Sequence, residues 1–315
     1  MKRFNTPFLL IACVGLLFVF CESSQSQQTP DISLEETRRI LSTLAADAML
    51  GRDSRSGGYF KAAEFVTAYF DQHNIQPFYP AYRDSLFTDG LLSYNLVGSI
   101  GDYDPQRKTI LIGAHLDHVG IQGATADSLY NGANDNATGS TAALQVAAYL
   151  ATKPWKHNLL VALFSEEEKG LKGAYHLADR MKQEGVQLDY VVNFEMLGTP
   201  LSSGENQVYI TGYSLSNMAE AMNAITPNFV QFFPQAKELN LFRRSDNLPF
   251  YEAFNVPAQT LSTFDFTNFD HYHLPSDEVQ FIDMEHLNQL INTIANTLVG
   301  LLENESEIRL IEQEP

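Results

Sequence analysis

The spacing of apolar residues divides the chain into helices with one apolar stripe and strands that are apolar throughout. Residues 109–114 (TILIGA), 157–164 (HNLLVALF) and 188–195 (LDYVVNFE) are short, near-continuous apolar runs, as expected of strands buried on both faces. Residues 94–100 read as another strand. Helical patterns lie between and around them. Ser33 and Glu36 make a capping box ahead of a helix running to about Met49. A second helix puts Phe60, Ala63, Val66 and Phe70 on one face and ends near His73 and Asn74. An Ala- and Leu-rich helix follows a glycine- and amide-rich loop at 131–139 and stops before Pro154. Another covers roughly 171–183. After Gly198 the pattern loosens to strand candidates at 207–211, 229–233 and 258–262, with helices near 214–224 and 283–302. Strands alternating with helices imply a largely parallel sheet covered on both faces. There is no internal repeat and no linker that forces a second domain, so one folded unit is expected over 32–303, followed by an acidic tail at 304–315.

The first residues break this pattern. Lys2 and Arg3 precede an apolar stretch at 8–20 that is too short to span a bilayer comfortably, which reads as an export signal over 1–21. A polar tether at 22–31 follows. Cys21 followed by ESSQSQ looks like a bacterial lipoprotein junction, although Phe20 stands where a small residue is usual. Leu10-Ile11-Ala12-Cys13 fits the cleavage pattern better but leaves too short an apolar core before it. The expected location is therefore outside the cytoplasm: periplasmic, lipid-anchored in the outer membrane, or extracellular.

The 315 residues, 44% hydrophobic, can bury a sizeable core. A formal net charge of -18 argues against nucleic acid or an anionic membrane surface as a partner. Cys13 and Cys21 are the only cysteines, so the folded part has no disulfide framework, thiolate zinc site or cysteine nucleophile.

Chemistry gathers at the ends of the apolar strands, where open α/β sheets bind ligands. His115 and Asp117 follow the first strand, two apart and so facing one spot on an extended chain. Glu167 and Glu168 follow the second, and Glu195 ends the third. Asp135 sits where a helix begins, a favourable place for a carboxylate. A late loop, DHYHLPSD, supplies His271 and His273. Each piece has an ordinary explanation: a solvated helix start, a buried ion-pair partner, loop packing. Together, converging histidines and carboxylates without cysteine suit zinc, with cobalt or manganese as substitutes. So many carboxylates in one place need cations to neutralise them.

The ordered motifs HLDH, NGANDNATG, SEEEKGLKG, NFEMLG, SDNLPF and DHYHLPSD resemble the dinuclear zinc exopeptidases of metallopeptidase family 28, over roughly residues 40–300 including the Gly51-Arg52 loop. That group includes bacterial leucyl aminopeptidases and glutamate carboxypeptidase relatives. The resemblance implies a three-layer α/β/α sandwich with a mixed, mostly parallel central sheet, and two Zn2+ ions bridged by Asp135. His115 and Glu195 would complete one ion, and Glu168 and His273 the other. Glu167 would be the general base, Asp117 would orient His115, and Glu166 would be a bystander. A cis peptide is implied at Asp135-Asn136. Glu195 stands where Asp is common, and Asn247 replaces a frequent His, leaving that side chain's role open.

The expected function is a metallo-aminopeptidase releasing N-terminal residues from peptide substrates. Alternatives on the same scaffold are a carboxypeptidase, another amidohydrolase, a single-zinc glutaminyl cyclase, or a non-catalytic binding protein. The complete five-ligand set argues against the last two. The aromatic stretches at 229–233 and 264–272 are candidate walls of a specificity pocket.

Overall fold

A computed structural model describes residues 1–2, 31–123 and 128–311. All but the first two residues of the expected export signal, its two cysteines and nearly all of the tether lie outside the described residues, as do the last four residues of the tail.

Nine strands form one sheet: β1 (Ile75–Pro77), β2 (Arg83–Thr88), β3 (Leu91–Ile100), β4 (Thr109–His115), β7 (Asn158–Phe164), β8 (Leu188–Glu195), β9 (Val208–Ile210), β10 (Val230–Gln231) and β11 (Ala258–Ser262). A small hairpin, β5 (Gly120–Ile121) with β6 (Leu129–Tyr130), stands apart. The order is β1-β3-β7-β4-β8-β11-β9-β10, with β2 also paired to β3. The centre, β7-β4-β8-β11, is parallel. β3 joins β7 antiparallel, and β9 joins β11 antiparallel. The carboxyl ends of the central strands therefore open on one edge, with His115 level with Phe164 and Glu195 level with Ser262.

The apolar runs are apolar throughout because alternate residues serve different cores. In β7, Leu159, Val161 and Leu163 join one cluster while Leu160, Ala162 and Phe164 join the other. The first face is covered by α1 (Leu34–Leu44), α2 (Gly57–Gln72), α3 (Gly139–Leu150), α5 (Met218–Ile225) and α8 (Met284–Glu303). The second is covered by α4 (Lys172–Gln183) and α7 (Asn247–Phe254), where Leu177, Met181 and Phe250 pack. A short α6 (Pro234–Glu238) lies outside both. Burying each of these large side chains contributes about 1.5–3 kcal/mol. The result is the expected three-layer sandwich with a mixed sheet.

Several details differ from the sequence expectations. The first helix ends at Leu44, and the chain continues as a 3-10 turn over Asp47–Arg52. Only half the capping box forms: Ser33 Oγ accepts from the Glu36 amide, but the Glu36 carboxylate turns to Arg39. β1 and β2 were not legible, because β1 is three residues long and β2 is half polar. The strand expected at 229–233 shortens to Val230–Gln231.

Candidate metal centre

Three parallel strand ends and two loops converge on one cleft. Asp135 lies in a tight turn before α3, preceding a cis peptide bond to Asn136. Its two oxygens face different neighbours. Oδ1 is 3.4 Å from His115 Nε2, which is 3.1 Å from Glu195 Oε1. Oδ2 is 3.0 Å from His273 Nε2, which is 3.3 Å from Glu168 Oε2. These donor atoms fall into two groups sharing Asp135, each within 4.8 Å. Zinc bonds N and O donors at about 2.0–2.2 Å, so a tetrahedral set has donors roughly 3.3 Å apart. The observed separations fit that geometry, so the residues present suit a divalent ion in each group.

One donor was not foreseen. His118 is fully buried, and its Nδ1 lies 2.9 Å from Glu168 Oε1 and 3.7 Å from Asp135 Oδ2. The signal was present in HLDH, but an extended chain would put His118 on the face opposite His115. The chain leaves the sheet after His115, which brings both rings to the same cleft.

The surroundings fix these side chains through backbone contacts. Asp277 accepts the amides of Asn134 and Asp135 at 2.8 and 3.0 Å. Asn136 ties the turn to β8, donating to the Phe194 carbonyl and accepting the Met196 amide. Ser245 Oγ donates to Glu195 Oε2 at 2.9 Å and accepts from Asn193. The His115 Nδ1 contact is to the Asp117 carbonyl at 3.0 Å, while the Asp117 carboxylate is 3.9 Å away. That carboxylate accepts the Glu167 amide instead, at 3.2 Å. Asn247 faces away from the cleft and braces Phe242, Ala258 and Thr260. Glu166 is also turned away, paired with Arg55 at 2.9 Å.

The electrostatics express a crowd of buried carboxylates. Burial pushes Glu167 well above the usual carboxylate range; His115 opposes this, while Asp246, Glu195 and Glu168 add to it. Burial likewise raises Asp246 strongly and Asp117 to about 7. Burial also works against the charge on Asp135, yet His118, His115 and His273 hold it below its usual value. Hydrogen bonds to Asp135 and Glu168 lift His273 to about 10.

The donors line a cleft of about 550 Å³. Its far walls are Tyr209, Leu241, Arg244, Phe264, Phe266 and Tyr272. Tyr272 stacks on His273, with ring centroids 4.1 Å apart. Of the two aromatic stretches expected to form walls, the one at 264–272 reaches this cleft; Phe229 is buried in the core.

A model of peptidase family M28 matches residues 95–298, more than half of the chain. The aminopeptidase YwaD of Bacillus subtilis is 24% identical over 188 residues, covering 58% of this chain and 40% of that protein. The chain thus spans well under two thirds of that relative's length. The structure of the Legionella pneumophila LapA aminopeptidase superposes with a TM-score of 0.69 at 19% identity, covering 86% of this chain and 72% of the other. A glutaminyl cyclase from Porphyromonas gingivalis superposes at 0.64 with 16% identity, covering 85% and 98%. At such identities these two share the fold.

Proposed function

The chain belongs to peptidase family M28, and on that premise we propose that it is a zinc-dependent aminopeptidase holding two ions. The carrying observation is the bifurcated role of Asp135, whose oxygens serve two separate donor groups. His115 and Glu195 would hold one zinc ion with Asp135; Glu168 and His273 would hold the other. When bound, zinc supplies Lewis acidity and makes water acidic enough to attack near neutral pH. Glu167 lines the same cleft without belonging to either donor group. Its carboxylate takes the proton of the attacking water and returns it to the departing amine, a step worth about 10²–10⁴-fold. Cations held by these groups would offset the carboxylate repulsion that, after burial, raises Glu167, and so would favour its ionised form. Asp117 anchors the Glu167 backbone, and its carbonyl sets the tilt of the His115 ring. The aromatic wall beyond the donors is the place for the substrate's side chain.

The basic residues Lys2 and Arg3, the apolar run at 8–20 and Cys21 after it support an exported protein with a lipid anchor. The test of activity is a panel of free aminoacyl anilides, N-blocked peptides, C-terminal peptides and an N-terminal glutaminyl peptide, assayed with and without chelator. Metal content is counted in parallel. Cleavage restricted to free N-termini and abolished by chelation is the expected result. Cyclisation of the glutaminyl peptide with one ion per chain would favour the cyclase alternative.

A further inference from the structure

We propose that His118 is a fourth protein ligand in the group formed by Asp135, Glu168 and His273, which makes the two metal positions unequal. The inference rests on the metal reading above and goes beyond its ligand set.

Three observations carry it. First, the separations around this group are 2.9 Å (His118 to Glu168), 3.7 Å (His118 to Asp135), 3.0 Å (His273 to Asp135) and 3.3 Å (His273 to Glu168). They bracket the roughly 3.3 Å expected between donors on a tetrahedral zinc ion. A plain hydrogen bond to Glu168 accounts for the first distance but not for the approach to Asp135. Second, His118 is fully buried and its Nε2 has no hydrogen-bond partner among the described residues. The polar contacts of the ring thus run through Nδ1 alone, which points into the donor group. Third, the fold makes room for this ring. Gly132 has φ of 58°, and a Cβ there would lie 2.5 Å from His118 Cγ and Cδ2. A glycine is needed at that point both for its backbone and for the space it leaves.

The chemical consequence is a division of labour. Four protein donors close a tetrahedral zinc site, whereas three leave a position for water or substrate. With His118 counted, the group of Asp135, Glu168 and His273 would hold its ion with four protein donors and more tightly. The group of His115, Asp135 and Glu195 would hold its ion with three protein donors and would exchange it more readily.

The test measures metal binding rather than turnover. Wild type, His118→Ala and His118→Asn are loaded with Zn2+ or Co2+ and titrated against a chromophoric chelator, with the Co2+ absorption spectrum recorded. Asn keeps an N–H donor close to the position of Nδ1 but is a poor zinc ligand. It therefore separates ligation from hydrogen bonding. Thermal melts of the metal-free proteins check that each variant folds.

The expected result is two ions in wild type with clearly different affinities. Both variants should weaken the tighter ion by about a hundredfold or more and alter the Co2+ bands. If His118→Asn matches wild type in both measurements while His118→Ala does not, His118 is a hydrogen-bond donor to Glu168 and the inference is wrong. Two ions bound identically in all three proteins would overturn it as well. A wild-type protein binding no metal would overturn the two-zinc reading itself, and this inference with it.

Discussion

The guanidinium of Arg52 donates from Nε to the carbonyl of Leu116 at 2.8 Å, at the turn between His115 and Asp117. The same group donates to the carbonyls of Leu44, Asn131 and Gly132 at 2.6–2.8 Å. One buried cation thus joins the strand end carrying His115 to the loop carrying Asp135. No carboxylate pairs with it within 4.0 Å among the described residues, and burial draws its pKa down to about 10, which still leaves it charged at neutral pH. Replacing Arg52 with Met orphans several buried carbonyls, each costing about 1–3 kcal/mol. A total loss of at least about 3 kcal/mol is expected, or roughly 10 °C in Tm for a protein of this size. Lys, with fewer donors and no fork, should restore only part of it. Thermal unfolding of the metal-free proteins measures this, and a Tm within 2–3 °C (about 1 kcal/mol) of wild type for Arg52→Met would show that the clamp is dispensable.

Glu167→Gln keeps the shape of the side chain and removes its basicity. Metal content should be unchanged, and kcat should fall by about 10²–10⁴-fold on an aminoacyl anilide. Near wild-type turnover would assign the base to another group.

Asp135→Ala removes the residue shared by both donor groups. Loss of both ions is expected after dialysis, read by metal analysis of the purified protein. Retention of two ions would contradict the bridging role.

Ser245 holds Glu195 Oε2 while Oε1 faces His115. Ser245→Ala frees the longer carboxylate to rotate, and a partner of this kind is typically worth 10–100-fold in metal affinity. The weakened ion should be the more exchangeable of the two. A chelator titration in which only the tighter ion changes would place Ser245 with the wrong donor group.

A pH effect is expected outside the lining of the cleft. His176 Nε2 lies 3.2 Å from Asp84 Oδ1, on a carboxylate that is fully buried and also bound by Arg180 and Asn95. The hydrogen bond to Asp84 raises the pKa of His176. A pKa raised by folding means that the native state favours the protonated ring. The stabilisation is therefore complete below about 6.5, the unfolded value, and is lost as pH rises through the folded value. Urea unfolding should show His176→Gln less stable than wild type at pH 5.5, with the gap closing towards pH 9. A gap that widens with pH would reverse the assignment.

The central strands and most of the candidate donors were legible for a common reason. β4, β7 and β8 are covered on both faces, so almost every position in their middles must be apolar, and the first polar side chains mark their carboxyl ends. The edge strands were not legible. β2 alternates Asp84 and Leu86 inward with exposed neighbours over only six residues, and β10 is two residues long. Such segments acquire their conformation from the strand beside them rather than from their own composition.

The sequence by itself determined which residue types are available: two sets of histidine and carboxylate donors, a spare glutamate, and a chain without cysteine beyond residue 21. Only the tertiary structure decided which of them meet. The i, i+2 rule pointed the Asp117 carboxylate at His115 because it assumes that the chain stays extended. The chain turns there instead, giving His115 a backbone carbonyl and sending the carboxylate to the amide of Glu167. The same turn carries His118, on the wrong face of an ideal strand, back beside Asp135 and into the space left by Gly132. Periodicity reports the direction of a side chain only while the backbone stays regular, and this cleft is built where regular structure ends.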